Sequence, residues 1–323
     1  MKFLKNKSLL ITGGTGSFGN AALDYLTKNC NLKKIVIFSR DENKQYEMSK
    51  KFKDKNIRFF LGDVRDQERL TMALQGIDYV IHAAAQKHVL AAEYNPFECI
   101  KTNIYGSQAL INAAIKNKVK KVIALSTDKA CNPINLYGAT KLCSEKLFIN
   151  ANQLSPHKNS IFSAVRYGNV IASRGSVIPF FNDLIKEGEK ELPLTDMEMT
   201  RFFITLNDAV LFVLNNLEGM KGGEILIPKM NSIYIYDIIK FLSPKVKVKV
   251  IGTRPGEKIH ETLCSKDETR MLFEDKNCYI IFPEHFLRKK HGKKIPSSFQ
   301  YVSNSKNCLS KDKILNLIKH SGF

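Results

Sequence analysis

The feature that most constrains this chain is a glycine-rich turn close to its N-terminus. Apolar residues 8–12 lead directly into the sequence GGTGSFG at residues 13–19, and a helical pattern follows. Gly14, Gly16 and Gly19 have the spacing G-x-G-x-x-G, in which absent side chains allow a sharp turn and let a pyrophosphate approach a helix N-terminus. Between a strand and a helix, this spacing predicts a dinucleotide-binding unit, with an ordinary turn as the alternative. We expect the cofactor to contact this turn at Gly13, Thr15, Gly16, Ser17, Phe18 and Gly19.

Strand and helix patterns alternate through the first half of the chain. Stretches with helical periodicity, such as 20–28 and 103–116, separate short apolar runs at residues 34–38, 57–61, 79–82, 122–126 and 160–166. Continuous apolar runs of this length are typical of strands buried on both faces of a parallel sheet. The pattern therefore predicts the α/β class, with a Rossmann-type, doubly wound parallel sheet.

The pattern changes near Tyr167, where turns rich in Gly, Ser and Pro and shorter elements begin. We expect residues 1–166 to form the dinucleotide-binding domain, with a return to it around 203–229. Residues 167–323 should form mainly a smaller α/β substrate-binding domain and a basic C-terminal tail, which is polar until a helical stretch at 311–319.

The formal net charge of +19 raises the question of a nucleic-acid partner. The dense basic run at residues 288–294 has no interleaved aromatic residues on which bases could stack. A lysine-rich solvated surface and polyanionic small ligands explain the charge better, so we expect no nucleic-acid partner. An NADP-sensing or RNA-binding relative stays as the non-enzyme alternative.

The composition also disfavours membrane proteins and metalloproteins. The sequence has no run of about 18 consecutive apolar residues and no apolar leader after Met1, so we expect no membrane association and a cytoplasmic protein. The seven cysteines are scattered without a Cys-x-x-Cys pair, and the seven histidines are equally dispersed. This distribution indicates reduced thiols and no metal site.

The end of the second strand distinguishes between the two nicotinamide dinucleotides. NAD-binding proteins usually place an acidic residue there, to bind the ribose hydroxyls. Here the strand ends in Ser39 and Arg40, with Lys44 just beyond, and a guanidinium donates charge-assisted hydrogen bonds to a 2′-phosphate. Asp41 comes one residue late for the NAD role and is alternatively a helix N-cap. NADP is therefore the expected cofactor.

The ends of the third and fourth strands complete the expected cofactor cleft. The third is followed by a Gly-Asp-Val turn at 62–64, which is positioned to receive the adenine edge. The fourth is followed by alanines at 83–85, which let a dinucleotide lie across the strand ends or simply allow a helix to pack closely on the sheet. The expected cofactor contacts here are Asp63, Val64, Ala83, Ala84 and Lys87.

A second group of polar residues follows the fifth strand. The sequence STDK at 126–129 precedes Tyr137 and Lys141, which are four residues apart and so share one face of a helix. A phenol beside an ammonium has a lowered pKa and can act as a base toward a hydroxyl. A chance surface pair is the alternative, but the upstream glycine turn favours a reacting site.

These residues resemble those of extended short-chain dehydrogenases/reductases and, more narrowly, of the inverting UDP-N-acetylglucosamine 4,6-dehydratases, which open the pseudaminic acid pathway used to glycosylate flagellin. The similarity covers nearly the whole chain. It rests on the glycine turn, SRDE at 39–42, GDVRD at 62–66, residues 126–141, RYGNV at 166–170, SRGSV at 173–177, LPLTD at 192–196 and RPGEK at 254–258. Glu42 joins the expected cofactor contacts through the SRDE motif.

The resemblance implies oxidation, elimination and reduction on one sugar. Tyr137, with Lys141 beside it, would deprotonate the 4-hydroxyl while a hydride passes from C4 to NADP, and Thr127 would hydrogen-bond near the 4-oxygen. Lys129 matches the family's base for the C5 proton, and Asp128 matches its acid for the water that leaves C6. The hydride would then return to C6, so that no net oxidation occurs.

A base at Lys129 needs a pKa of about 7–8. Burial beneath the sugar and the charges of Lys87, Lys141 and the oxidised nicotinamide are expected to lower it from the ordinary lysine value. The alternative is a lysine that faces a phosphate or the solvent.

The resemblance also implies UDP-N-acetylglucosamine as the substrate and a homo-oligomer, with a hexamer as one form. The expected substrate contacts are Lys87, Thr127, Asn169, Val170, Val177, Thr195, Met197, Arg254 and Glu257. Arg254 and Glu257 match the pair that holds the pyrophosphate and ribose, whereas Val170 and Val177 are alternatively core residues. A 4-epimerase, a retaining 4,6-dehydratase and a sugar-nucleotide reductase share the fold, but an epimerase needs no acid and base at Asp128 and Lys129.

Overall fold

The computed structural model describes residues 1–155, 159–171, 173, 175–283, 292–304, 316 and 318. The strands are β1 (Ser8–Thr12), β2 (Lys34–Ser39), β3 (Ile57–Leu61), β4 (Tyr79–His82), β5 (Lys121–Thr127), β6 (Ile161–Tyr167), β7 (Asn169–Val170), β8 (Glu191–Leu194), β9 (Thr200–Ile204), β10 (Ile225–Pro228), β11 (Asn231–Tyr234), β12 (Lys247–Val250), β13 (Thr262–Cys264), β14 (Leu272–Glu274), β15 (Cys278–Ile281), β16 (Lys293–Lys294) and β17 (Tyr301–Val302).

The helices alternate with these strands in the first half of the chain and become sparser afterwards. They are α1 (Ser17–Asn29), α2 (Glu42–Lys51), α3 (Gln67–Ala73), α4 (Val89–Tyr94), α5 (Pro96–Ile100), α6 (Gly106–Lys116), α7 (Leu136–Leu154), α8 (Val177–Lys186), α9 (Leu206–Gly219) and α10 (Ile235–Leu242). A π-helical turn, Lys101–Tyr105, leads into α6, and short 3₁₀ turns occupy Lys2–Leu4, Asp128–Ala130 and Thr269–Met271.

The main sheet joins ten of the described strands in the order β3-β2-β1-β4-β5-β6-β10-β15-β14-β16. From β3 to β10 every pairing is parallel, and β15, β14 and β16 add an antiparallel edge. The chain reverses direction across the sheet between β1 and β4, which is the point where doubly wound sheets bind ligands. The α/β class with a doubly wound parallel sheet is thus confirmed.

Helices cover both faces of the sheet, so that every residue of β1 and β4 is buried and only Lys34 of β2 is partly exposed. On one face, Leu23 and Leu26 of α1 pack with Val213 and Leu217 of α9 against the strands. On the other face, residues of α3, α6 and α7, among them Leu110, fill a second core. Burial on both sides explains why these strands are continuous apolar runs in the sequence.

The second half of the chain has its own core and also contributes to the main sheet. Strands β8, β9 and β11 with helices α8 and α10 enclose a separate cluster that includes Leu192, Phe203 and Ile238. Strand β10, within the interval 203–229, pairs with β6 of the main sheet. Strands β14, β15 and β16 join the same sheet, although the sequence analysis placed residues 272–294 in the second domain or the tail. They are joined to it through the pairing of β15 with β10, which lies about fifty residues earlier in the chain, so the local pattern carried no sign of it.

Several other expectations can be compared with the described residues only in part. The helical stretch expected at 311–319 lies outside them except for residues 316 and 318, and residues 288–291 of the basic run lie outside them entirely. No helix in the part of the chain that the structure describes is long and apolar enough to cross a membrane. The described cysteines are free thiols: Cys30, Cys99, Cys131, Cys143, Cys264 and Cys278.

A buried ion network ties the antiparallel part of the second half to the parallel sheet. The guanidinium of Arg166, at the end of β6, is fully buried and donates to both carboxylate oxygens of Glu145 on α7, at 3.0 and 2.7 Å. It also donates to both oxygens of Glu268, at 3.0 and 2.9 Å, and to the carbonyl of Leu263 at 2.9 Å. Two bidentate pairs satisfy this charge, so removing the cation would leave two carboxylates without compensation.

We therefore expect Arg166→Met to destabilise the protein by about 3–5 kcal/mol, the range for a buried pair that loses one partner. The measurement is urea unfolding followed by circular dichroism at 25 °C. Lys28→Met is the matched control, because it removes a cation from the exposed pair of Lys28 and Asp24, whose charged atoms lie 2.7 Å apart, and should cause a much smaller loss. Equal losses in the two variants would contradict a special role for the buried network.

Candidate active site

The glycine turn lies at the carboxyl end of β1 and leads into α1, which begins at Ser17 after an N-cap at Gly16. Gly13 has φ +63°, and a Cβ atom at this position would lie 2.7 Å from Cα of Ala84. A Cβ at Gly19 would collide with the backbone of Gly14. The turn thus requires glycine both for its conformation and for the close approach of the chain after β4.

A cleft of about 620 Å³ runs across the carboxyl ends of the parallel strands from this turn. Nearly all of the expected cofactor residues line it, namely Gly13, Thr15, Gly16, Ser17, Phe18, Ser39, Arg40, Asp41, Lys44, Asp63, Val64, Ala83, Ala84, Lys87, Tyr137 and Lys141. Among the expected residues, Gly19 and Glu42 are not part of the lining. Gly19 packs on Gly14 inside the turn, and Glu42 is an exposed residue of the first turn of α2.

The end of β2 presents a cation and a hydroxyl to one end of the cleft. Ser39 is buried, and its hydroxyl accepts a hydrogen bond of 3.0 Å from the Gln45 amide. Arg40 is largely exposed and lies 3.8 Å from the carboxylate of Asp63. The side chain of Asp41 accepts a hydrogen bond from the backbone N–H of Lys44, so Asp41 is the N-cap of α2. Asp41 is therefore engaged with α2, while Arg40 has an exposed guanidinium at the cleft.

The other end of the cleft is formed by the residues after β5 and the start of α7. The side chain of Asn135 caps α7 and directs Tyr137 and Lys141 inward, where both are buried. The Lys141 ammonium donates to the carbonyl of Leu125 at 2.6 Å, and burial lowers its pKa to about 8.

The phenol of Tyr137 has a high pKa in this environment. Burial raises its pKa to about 12, against the charge of Lys129 and a hydrogen bond with Thr127, both of which lower it. The expected lowering of the Tyr137 pKa is wrong in this structure, since burial outweighs the effect of the neighbouring Lys129 charge.

Lys129 lies where the cleft meets a second cavity, and carboxylates surround its ammonium. The Nζ atom is 3.0 Å from Oδ1 of Asp128, 3.2 Å from Oε1 of Glu261 and 3.5 Å from Oδ1 of Asn169. Burial alone would lower the pKa of Lys129, but the two carboxylates raise it well above the ordinary lysine value. The expected lowering to about 7–8 is therefore wrong in this structure, because the carboxylates of Asp128 and Glu261 both lie beside the ammonium.

Asp128 is completely buried beneath Lys129 and is not part of either cavity lining. Its Oδ1 atom accepts hydrogen bonds from the Thr127 hydroxyl at 2.9 Å and from Lys129, whereas Oδ2 has no hydrogen-bond partner among the described residues. Burial raises the pKa of Asp128. Its Oδ1 atom lies 3.0 Å from the Lys129 amine, with which it can exchange a proton.

A second cavity of about 580 Å³ adjoins the cleft. It is lined by five of the residues expected on the substrate side, namely Asn169, Val177, Thr195, Arg254 and Glu257. Lys129 and Asn169 belong to both cavities. Lys87, Thr127 and Val170, also expected to contact the substrate, line the first cleft.

One expected substrate residue lies elsewhere. Met197 is 43 % exposed and is outside both linings, in the turn between β8 and β9. Its proximity to Thr195 in sequence therefore does not bring it to either cavity.

Sequence reasoning missed three residues that face the junction of the cavities: His88, Arg201 and Glu261. Arg201 is a buried arginine inside the apolar strand β9, and it donates to the carbonyls of Thr200, Lys258 and Ile259. A charged residue in the middle of such a strand was the available signal. Glu261 follows the RPGEK motif by three residues, and nothing in its local sequence distinguishes it.

Comparison with known proteins identifies relatives along the full chain. The model of the polysaccharide biosynthesis protein family matches residues 9–283. UDP-N-acetylglucosamine 4,6-dehydratase (inverting) of Campylobacter jejuni (strain 81-176) is 52% identical, with 98% of this chain and 99% of that protein covered. UDP-glucose 4-epimerase of Rickettsia bellii (strain RML369-C) is 42% identical, with 97% and 95% covered.

Solved structures agree with the observed fold. Pen from Bacillus thuringiensis is 40% identical, has a TM-score of 0.93, and each chain is covered to 99%. DesIV from Streptomyces venezuelae, a dTDP-glucose 4,6-dehydratase with NAD and TYD bound, is 22% identical with a TM-score of 0.70, over 78% of this chain and 86% of that one. The chain belongs to the polysaccharide biosynthesis protein family, and the resemblance to inverting UDP-N-acetylglucosamine 4,6-dehydratases is confirmed.

The buried ammonium of Lys141 predicts a cost in stability that depends on pH. Its pKa of about 8, against 10.5 for a free lysine, corresponds to about 3 kcal/mol. Below pH 8 both the folded and the unfolded chain carry the charge, so the penalty is complete. Between about 8 and 10.5 the folded chain releases its proton first, and the penalty disappears as the pH rises.

Lys141→Met should therefore be more stable than the wild type at pH 7, by about 2 kcal/mol after the lost hydrogen bond to Leu125 is deducted. This advantage should shrink when urea unfolding is repeated up to pH 10.5. The same change at the exposed Lys116 of α6 is the control. A constant difference between Lys141→Met and wild type across this range would show that the ammonium is not penalised by burial.

Proposed function

We propose that this member of the polysaccharide biosynthesis protein family is a UDP-N-acetylglucosamine 4,6-dehydratase that inverts C5. The observation that carries the proposal is the position of Asp128 and Lys129. The base, Lys129, lies at the junction of the dinucleotide cleft and the second cavity, and the acid, Asp128, is in contact with it from beneath. Elimination of water across C5 and C6 requires such a pair, and the 52% identity to the Campylobacter jejuni enzyme over 98% of the chain supports the same reaction.

The cofactor we propose is NADP. The glycine turn fits a dinucleotide, since it lines the cleft at the carboxyl end of β1 and leads into the N-terminus of α1. The hydroxyl of Ser39 and the exposed guanidinium of Arg40 suit a 2′-phosphate, and the usual competing acid, Asp41, is engaged as a helix cap. NADP would supply a hydride acceptor for C4 and return the same hydride at C6.

Tyr137 and its neighbours handle the proton of the 4-hydroxyl. The phenol is hydrogen-bonded with Thr127 and lies in the field of Lys129, which favours the phenolate that the reaction needs. The buried ammonium of Lys141, anchored on the Leu125 carbonyl, adds a positive charge to this end of the cleft. Thr127 and Tyr137 together would hold the 4-oxygen as it becomes a carbonyl.

Lys129 and Asp128 perform the elimination. Lys129 acts as a base only after its proton has left, and Oδ1 of Asp128 is 3.0 Å away to receive it. This transfer converts an ammonium and a carboxylate into a neutral amine and a carboxylic acid with no change in net charge. The amine then takes the C5 proton, and the acid gives its proton to the hydroxyl that leaves C6 as water. Protonation of C5 from the face opposite to Lys129, as a hydride returns to C6, would invert C5.

The second cavity would hold the nucleotide and the sugar. Arg254 is exposed at its rim and is placed for the pyrophosphate, while Thr195 donates to the Glu257 carboxylate at 3.1 Å beside the expected ribose position. Asn169 contacts both cavities and would touch the sugar, and Val177 would pack on the uridine side.

We propose a homo-oligomer, because Leu90, Tyr94, Phe97 and Tyr105 present exposed apolar side chains on α4, α5 and the π-helical turn. Sedimentation at micromolar concentration tests it, and a monomer would contradict it.

We also propose a cytoplasmic enzyme whose product enters the pseudaminic acid pathway for flagellin glycosylation.

A UDP-sugar 4-epimerase is the second candidate, because the Rickettsia bellii relative bears that name at 42% identity. The two activities differ in their product. Dehydration of UDP-N-acetylglucosamine should give a 4-keto-6-deoxy sugar without added reductant and without accumulation of NADPH. The product is followed by NMR and the cofactor by its absorbance. A product that keeps its 6-hydroxyl would identify an epimerase, and a stoichiometric rise in reduced cofactor would identify a simple dehydrogenase.

The choice of cofactor is tested at Arg40. Loss of a charged hydrogen bond to phosphate should make Arg40→Ala bind NADP roughly ten- to a hundredfold more weakly, with NAD affinity nearly unchanged. Arg58→Ala, at an exposed arginine of β3 outside the cleft lining, is the matched control in the same calorimetric titrations. Tighter binding of NAD than of NADP by the unmutated protein would overturn the assignment.

A further inference from the structure

The groups around Lys129 come from five different parts of the chain. Its own 3₁₀ turn supplies Asp128, and the start of α7 supplies Tyr137. Strand β7 supplies Asn169, β9 supplies Arg201, and the segment before β13 supplies Glu261. The polar and charged side chains that face the Lys129 ammonium are Asp128, Tyr137, Asn169, Arg201 and Glu261, with Lys258 acting on Glu261. The protonation of Lys129 is therefore decided by this set rather than by burial alone.

Glu261 is fixed more firmly than a carboxylate on a surface loop. Its backbone N–H donates to the Ser303 hydroxyl at 2.9 Å, and the Ser303 N–H donates to the Glu261 carbonyl at 2.9 Å. The Ser303 hydroxyl also pairs with that of Thr200 at 2.7 Å. The guanidinium of Arg201, next to Thr200 on β9, lies 3.8 Å from the Glu261 carboxylate. Ser303, the residue after β17, thus anchors Glu261 against β9.

The two carboxylates beside Lys129 differ in character. Asp128 is sealed beneath the lysine, and its pKa is raised. Burial alone would raise the pKa of Glu261 as well, but the charges of Lys129, Arg201 and Lys258 lower it, so Glu261 stays ionised. Glu261 also lines the second cavity, which Asp128 does not. Of the two carboxylates in contact with the Lys129 ammonium, Glu261 is therefore the one that faces the second cavity.

We propose that Glu261 is the positioning residue of Lys129, which holds its amine at the junction of the two cavities and controls when the amine can lose its proton. The inference rests on the proposed dehydratase function. When the proton passes from Lys129 to Asp128, the Glu261 carboxylate opposes the transfer because it favours the ammonium. The same attraction keeps the amine in place. Glu261 thus lowers the fraction of Lys129 that is a free amine, while it holds the side chain in position.

Glu261→Gln separates these two effects. The amide keeps an oxygen to accept a hydrogen bond from Lys129, and Oε2, which its nitrogen would replace, has no hydrogen-bond partner in the described part of the chain. Loss of the negative charge makes the amine easier to deprotonate. Because the reactive pair of Lys129 and Asp128 holds one proton, the acid limb of the kcat profile reports the uptake of a second proton. This limb should move to lower pH in Glu261→Gln, by about one unit if a charge 3.2 Å away is screened as in water and by about four units if it is screened as near a protein surface.

The experiment measures kcat from pH 5 to 9 for wild type and Glu261→Gln, with Glu198→Gln as control. Glu198 is an exposed carboxylate near His260 that does not face Lys129, so its variant should keep the wild-type profile. Glu261→Asp keeps the charge but withdraws it by one methylene, and should shift the limb less. If Glu261→Gln does not fold, this second variant carries the test. An unchanged acid limb in the folded variants would overturn the proposal.

A readout without substrate distinguishes failure of this inference from failure of the proposed function. The Lys129 side chain is followed by NMR of ¹³C-lysine-labelled protein and assigned by its absence in Lys129→Met. Its titration should move to lower pH in Glu261→Gln and stay in place in Glu198→Gln. If the wild type does not dehydrate the substrate but this shift occurs, the function is wrong and the control of Lys129 by Glu261 stands. If dehydration occurs and the lysine titrates identically in both proteins, the inference is wrong.

Discussion

Parallel pairing of the strands from β3 to β6 is the constraint on which the site depends. Because parallel strands end at the same edge of a sheet, the turns after β1, β2, β4 and β5 converge there. The turn after β1 supplies the glycines, the turn after β2 supplies Arg40, and the turn after β5 supplies Asp128 and Lys129. No single segment contains the site, and the chemistry arises only where the edge brings these segments together.

The second half of the chain completes this edge from the opposite side. Arg201 and Glu261 reach the ammonium of Lys129 from β9 and from the segment before β13. The buried network around Arg166 fastens the same region to β6 and α7. The protein without ligands therefore stabilises Lys129 as an ammonium, although the proposed reaction uses it as an amine. The contact with Asp128 resolves this conflict, since it moves a proton without creating a new charge in a buried place.

Local patterns in the sequence were sufficient for the first half of the fold and for most of the cofactor cleft. Three features depend on spacings within a few residues, which the sequence displays directly: strand β1, the glycine turn, and the face of α7 that Tyr137 and Lys141 share. Features that depend on distant pairing were not visible. Strands β14 to β16 joined the main sheet, Glu261 paired with Lys129 across 132 positions, and the pKa of Lys129 moved in the direction opposite to the expected one. Met197 and Glu42 were placed by neighbourhood in sequence, and folding directs both away from the cavities.

The central claim is that Lys129 removes the proton from C5 of the sugar. The most direct measurement gives UDP-N-acetylglucosamine deuterated at C5 to wild type and to Lys129→Met, and follows the label and the configuration of C5 by NMR. The wild type should release the deuterium and form the C5-inverted 4-keto-6-deoxy sugar. Lys129→Met should still bind substrate and NADP but retain the deuterium, with turnover almost abolished. Release of the deuterium by Lys129→Met at a near-normal rate would contradict the account and leave Tyr137 as the base.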